Sequence, residues 1–203
     1  MNHRFAEIAF TPNVKLMQER HGSRARYARL QEADGPNDTL GPQEAAFLAR
    51  ADSFYLSTVS ETGWPYVQHR GGPAGFLRVL SPTRIAFADF RGNVQYVSAG
   101  NALHDDRVAI IVMDYANRRR LKLLGHLTFV AVPDAEPDLV REVELPGYRA
   151  RVERVALIDV VAFDWNCPQH ITVRFTEAQV AAATQPLRDR IAELEARLAA
   201  MPA

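Results

Sequence analysis

The chain has 203 residues, enough for one domain of ordinary size with terminal additions and a sizeable core. Its 24 basic and 24 acidic residues balance, which excludes the global electrostatic footprint of a nucleic-acid binder. The single cysteine, Cys167, excludes an intrachain disulfide framework and a zinc site built from several thiolates.

The opening MNHRFAEIAF carries neither a basic segment followed by a long apolar run nor a small-residue cleavage site. No apolar stretch approaches the roughly 20 residues that a membrane-crossing helix needs. A cytoplasmic chain with no membrane or nucleic-acid partner is therefore expected. In the first fifty residues, Thr11-Pro12 reads as a cap and first turn, and Gly35-Pro36 and Gly41-Pro42 read as breakers. Two or three short helices fit, and the last, entered at Pro42, can turn Ala45, Ala46, Phe47 and Leu48 toward a core.

From Phe54 the grammar changes to short β-branched, aromatic and aliphatic runs between turn signals. Strands are predicted at about 54–60, 64–70, 75–80, 84–89, 107–114, 119–131 and 153–163. In the long sixth run, Leu121, Leu123, Leu127 and Phe129 share one face while Lys122, His126 and Thr128 share the other. Seven strands with few helices between them favour an antiparallel barrel or sandwich over a doubly wound sheet. GNVQYVSAGNALHDD lacks the period-2 pattern and reads as a helix entered through a glycine loop. The chain closes with an amphipathic helix from about Pro186 to Met201. Its Leu187, Ile191, Leu194 and Leu198 form a stripe that either docks on the chain's own barrel or pairs with a second subunit.

Three polar stretches could carry chemistry. In GWPYVQHRGGPAGF, residues 63–76, a strand bearing Gln68, His69 and Arg70 runs into Gly71-Gly72, where a flat ligand could approach bare backbone. A β-bulge with a surface arginine is the plainer alternative. In FADFRGNVQYVSAGN, residues 87–101, Arg91, Asn93, Gln95, Ser98 and Asn101 surround a strand-to-helix junction, a natural anion site. Helix capping by Asn93 and Ser98 is the alternative, and neither GxxxxGK[ST] nor GxGxxG is present. In DWNCPQHI, residues 164–171, Trp165, Asn166, Cys167, Gln169 and His170 crowd together; Trp165 offers a stacking face and Gln169 and His170 offer hydrogen bonds, with Arg174 soon after. Cys167, three residues from His170, reads more readily as an inert thiol than as a nucleophile. His104-Asp105-Asp106 does not read as a metal cluster, because adjacent residues rarely converge on one ion. Arg118-Arg119-Arg120 reads as a solvated hairpin tip.

From about Asp52 to Thr176, the order and spacing of TVSETGWPYVQHRGG, FADFRGNVQYVSAGN, DDRVAIIVMDY and RLKLLGHL resemble the pyridoxamine 5′-phosphate oxidase-like flavoproteins. DWNCPQHITVRF resembles the signature of a subgroup of flavin-nucleotide-binding proteins. The resemblance implies a mainly β (α+β) fold: a six-stranded antiparallel split β-barrel over 52–176, a helical extension over 1–51 and a C-terminal helix over 177–203. It further implies a homodimer with FMN at the subunit interface. Gln68, His69 and Arg70 would line the ring or ribityl chain, with Asp89 nearby. Arg91, Asn93, Gln95, Ser98 and Asn101 would surround the phosphate, and Trp165, Gln169, His170 and Arg174 would reach in from the partner.

Two departures bear on function. Val94 and Gln95 stand where many relatives carry basic residues for the phosphate, and the chain runs on past Arg174 without the Arg-x-His ending of the vitamin oxidases. The implied function is an FMN-dependent oxidoreductase with an unidentified small-molecule substrate or reductant. The alternatives are a non-catalytic flavin-nucleotide binding or sensing protein, or a split barrel holding haem or a deazaflavin.

Overall fold

The computed structural model describes residues 3–32, 35, 37–165 and 167–201. The N-terminal segment forms four helices, one more than the punctuation suggests: α1 (Arg4–Ala9), α2 (Pro12–Arg20), α3 (Arg24–Glu32) and α4 (Pro42–Leu48). Thr11 caps α2 by accepting a hydrogen bond from the Val14 N–H, and Pro12 occupies the first turn, where a missing donor costs nothing. The breaker expected at Pro36 lies outside the described residues. Gly41 precedes α4, and its N–H donates to the Glu44 carboxylate at 3.0 Å. This last helix belongs to the barrel's interior, since Phe47 and Leu48 are buried in the main core.

Seven strands follow: β1 (Ser53–Val59), β2 (Pro65–Gly71), β3 (Arg78–Ser81), β4 (Arg84–Phe90), β5 (Arg107–Asp114), β6 (Arg119–Ala131) and β7 (Val152–Trp165). They form one sheet in the order β2-β1-β5-β6-β7-β4-β3, antiparallel throughout. The class is the expected one, with seven strands instead of six. Helix α5 (Val97–His104) follows β4, and α6 (Pro137–Val143) lies between β6 and β7.

The sheet is rolled. Phe54 of β1 meets Phe87 of β4 edge-on with ring centroids 5.2 Å apart, although three strands separate them in the sheet. At the seam, Arg70 of the edge strand β2 reaches Asp89 of β4, the neighbour of the other edge strand, at 2.6 Å, so side chains bridge the barrel's opening. Phe54, Leu56, Phe76, Phe87, Leu121 and Ile158 fill the interior, each contributing about 1.5–3 kcal/mol through burial. Gly125 marks the bulge where the β6–β7 register shifts. A Cβ at this position would stand 2.5 Å from the Asp159 carbonyl oxygen, so only glycine lets the two backbones approach so closely.

The C-terminal helix, α7 (Glu177–Ala199), begins nine residues before the predicted start at Pro186 and carries that proline inside it. Its true start is a capping box: Thr176 accepts from the Gln179 N–H, and the Gln179 side chain accepts from the Thr176 N–H. Alanines at 178, 181, 182 and 183 then favour helix ahead of Pro186. The apolar stripe does not dock on its own barrel, because Leu187 is 64%, Ile191 56% and Leu198 68% exposed. No helix among the described residues is long and apolar enough to cross a membrane.

Candidate functional site

Strand alternation selects the first wall of the site. On β2, Tyr66, Gln68 and Arg70 face inward while Val67 and His69 face the opposite side. The Tyr66 hydroxyl donates to the Gln68 side-chain oxygen, which fixes both. Across the seam, Asp89 is 2% exposed and is held between two guanidinium groups. Arg70 donates to one carboxylate oxygen at 2.6 Å, and Arg154 of β7 donates to the other through Nε at 2.9 Å and Nη2 at 2.5 Å. Arg154 arrives there because it pairs with Asp89 in the β4–β7 register. One carboxylate between two arginines leaves a local surplus of positive charge. The Nε of Arg70 is also buried without a hydrogen-bond partner, a donor that an incoming acceptor would satisfy.

The second wall is the loop from Gly92 to Tyr96 and the start of α5. Val94 has φ of +54° and Tyr96 φ of +52°. For a β-branched residue this is a true outlier, costing on the order of 1–3 kcal/mol, and such strain concentrates at ligand clamps. Tyr96 occupies the position before α5 and makes no side-chain capping bond, so the N–H groups of the first turn remain available to a ligand. Ser98 is buried at this end of the helix. The Asn93 side chain accepts from the Gln95 N–H at 3.2 Å and shapes the loop. Together these walls line a cleft of about 250 Å³ that also contains Phe90 and Glu153.

Of the residues singled out in the sequence, the structure brings Gln68, Arg70, Asp89, Asn93, Gln95 and Ser98 to this cleft. His69 lies on the other face of β2, its ring edge-on to Tyr55 at 5.6 Å. Asn101 is buried, but its amide donates to the Thr58 hydroxyl at 2.9 Å and pins α5 to β1. Arg91 is outside the lining, half-exposed, with Nε 3.7 Å from the Glu153 carboxylate. Gly71 and Gly72 serve the fold: Cβ atoms there would meet the Asp52 carbonyl oxygen at 3.2 Å and Phe76 at 2.9 Å.

Trp165 is committed to its own subunit. Its indole N–H donates to Glu44 at 2.7 Å, its ring meets Phe47 edge-on at 4.8 Å, and Arg119 lies over it at 4.4 Å. That contact also corrects the hairpin-tip reading for Arg119, which lies against aromatic rings. Asn166 lies outside the described residues. Cys167, Gln169, His170 and Arg174 are exposed on the segment after β7, away from the cleft of their own chain. His170 has φ of +62°. Arg174 lies 5.0 Å over the Tyr115 ring; a hydrogen bond with Tyr55, and then burial, push the Tyr115 phenol above its ordinary pKa, against the opposing charge of Arg174. Asp106 pairs with His126 at 2.8 Å. Asp105 pairs with Arg107 at 2.6 Å, and the Arg107 hydrogen bonds hold its carboxyl below the usual carboxylate range.

Arg154, Tyr66, Tyr96 and Glu153 complete the cleft and were missed in the sequence. The available signal for Arg154 was an arginine directly before the apolar run Val155–Ile158, a residue type that is buried only with a partner.

The geometry defines a split barrel with a polar cleft, two arginines and two carboxylates among its walls, beside a helix N-terminus. The family model for pyridoxamine 5′-phosphate oxidase matches residues 40–159, more than half of the chain, and the chain belongs to that family. No match is found among curated proteins. Among solved structures, HupZ of Group A Streptococcus is similar at 12% identity and a TM-score of 0.50, covering 67% of this chain and 99% of that one. An FMN-binding protein of Syntrophomonas wolfei has 11% identity and a TM-score of 0.44, covering 73% and 97%. A pyridoxamine 5′-phosphate oxidase-related, FMN-binding protein of Nostoc punctiforme has 17% identity and a TM-score of 0.42, covering 62% and 84%. At these identities the likeness concerns the fold.

Proposed function

We propose that this chain is an FMN-dependent oxidoreductase whose flavin phosphate sits at the start of α5, in a site completed by a second copy of the chain. The observation that carries this reading is the two-arginine clamp on Asp89, with the unpartnered Arg70 Nε beside a strained loop and an uncapped helix N-terminus. These features supply, from backbone and neighbouring strands, hydrogen-bond donors where Val94 and Gln95 supply no charge. In this reading the phosphate takes the N–H groups of the first turn of α5, with Ser98 at its edge and Arg154 nearby. Gln68 and Arg70 hydrogen-bond the polar edge of the flavin or its ribityl chain.

The size of the cleft favours a shared site. About 250 Å³ in one chain is below the roughly 300–1,000 Å³ of pockets that enclose a drug-sized ligand. Gln169, His170 and Arg174, exposed and remote from their own cleft, are suited to close the partner's. When bound, FMN supplies hydride or electron transfer, while the chain's residues position it and tune its polar edge. Asp89 is no acid or base in this account; its place is to hold Arg70 and Arg154 in line.

The test is the spectrum of the protein after FMN loading and gel filtration. A retained oxidised-flavin spectrum that NAD(P)H bleaches and air restores is expected. Retained flavin that no physiological reductant touches would favour a binding or sensing role, and a protein that retains haem or a deazaflavin but no FMN would replace the cofactor assignment.

A further inference from the structure

We infer that α7 forms a parallel two-stranded coiled coil with the α7 of a second copy of this chain. The seam is longer than the stripe visible from Leu187 onward, because the helix begins at Glu177. With Val180, Leu187 and Leu194 at the d positions of a heptad, Thr184, Ile191 and Leu198 fall on the a positions. The 3–4 spacing is unbroken from 180 to 198, a length of about 27 Å at 1.5 Å per residue. Each apolar member is exposed in the single chain, from 41% at Leu194 to 68% at Leu198. Thr184 is the one polar seam residue. Its hydroxyl donates within the helix to the Val180 carbonyl at 2.9 Å, so it can be covered without losing a partner.

The occupant follows from the residue types and the flanking charges. A β-branched Ile191 at a between Leu187 and Leu194 at d favours two parallel strands. In that arrangement Arg190, at g, faces Glu195, at e, of the other copy, and symmetry makes the pair twice. In an antiparallel arrangement Arg188 meets Glu195, but Arg190 then meets Arg197, so attraction and repulsion offset. Arg190 at present pairs with Glu193 on the exposed helix surface, a contact of little worth that costs little to exchange. A parallel pair has its two-fold along the helix axis and therefore closes as a dimer. Where the barrels also pair, the two helices meet at high effective concentration, which offsets the modest length of the seam. The pairing rests on α7 alone and is independent of the flavin assignment.

The test uses the full chain with Cys167→Ser, so that one introduced cysteine reports on geometry. With Leu194→Cys at a seam position, mild oxidation is expected to yield a covalent dimer in which most of the chain is linked. Asp189→Cys, on the outer face, is expected to be linked at least several-fold less. Adding Glu195→Arg to Leu194→Cys should reduce the linked fraction several-fold, and adding Arg190→Glu as well should restore it. No covalent dimer from the Leu194→Cys variant, equal linkage from positions 194 and 189, or indifference to the charge reversal would each overturn the parallel pairing.

Discussion

Replacing Asp89 by asparagine removes the charge that holds two arginines at the barrel seam without changing the size of the side chain. Asp89 is 2% exposed and its two partners are each 22% exposed, so all three groups are largely out of water. Breaking a buried pair by removing one member costs about 3–5 kcal/mol, because the remaining charge stays buried. The partial exposure of the guanidinium groups lowers the expected cost to about 2–4 kcal/mol. For a chain of this size, about 3 kcal/mol corresponds to a fall in melting temperature of about 6–12 °C. Calorimetry of the FMN-free protein gives that number directly. Adding Arg154→Met to Asp89→Asn should recover part of the loss, since it removes surplus positive charge. A melting temperature within about 2 °C of the wild type, or a double variant less stable than both singles, would refute the clamp as the closure of the seam.

Flavin titration should separate the two arginines: Arg154→Met is expected to weaken FMN binding by about 1.5–3 kcal/mol, on the scale of a charged hydrogen bond, while Arg91→Ala changes affinity less than about twofold. Trp165→Ala should cost about 3 kcal/mol in urea unfolding through lost contacts with Phe47 and Glu44, while flavin affinity per folded chain stays at the wild-type value. Gly125→Ala should lower the urea midpoint by an amount equivalent to about 1–3 kcal/mol, because its methyl group would collide with the Asp159 backbone.

Much of the barrel was legible because alternation and turn residues are local signals. The β4, β5 and β6 segments fall within a residue of expectation, and Thr11-Pro12 caps its helix as the sequence suggests. The start of α7 was obscured by Pro186, whose local penalty does not end the helix once Thr176 and Gln179 have capped it upstream. At the site, alternation should have separated His69 from Gln68 and Arg70; reading the three as one cluster ignored the two faces of β2. Arg154 could not be paired with Asp89 from local pattern, because the two are 65 residues apart and meet only through the β4–β7 register. Trp165 was similarly opaque: its indole partner, Glu44, lies 121 residues away in a helix whose own cap uses the same carboxylate. The 92–96 loop takes its shape from the left-handed backbone of Val94 and Tyr96, residue types that give no local warning of it.

If the cleft at the start of α5 takes the flavin phosphate, calorimetric titration with FMN and with riboflavin must distinguish the two ligands. One FMN per chain is expected, with riboflavin bound more weakly by roughly 100-fold, equivalent to about 2.7 kcal/mol for the phosphate contacts. Equal affinity for the two flavins would place the phosphate elsewhere, and absence of binding by either would overturn the flavin assignment.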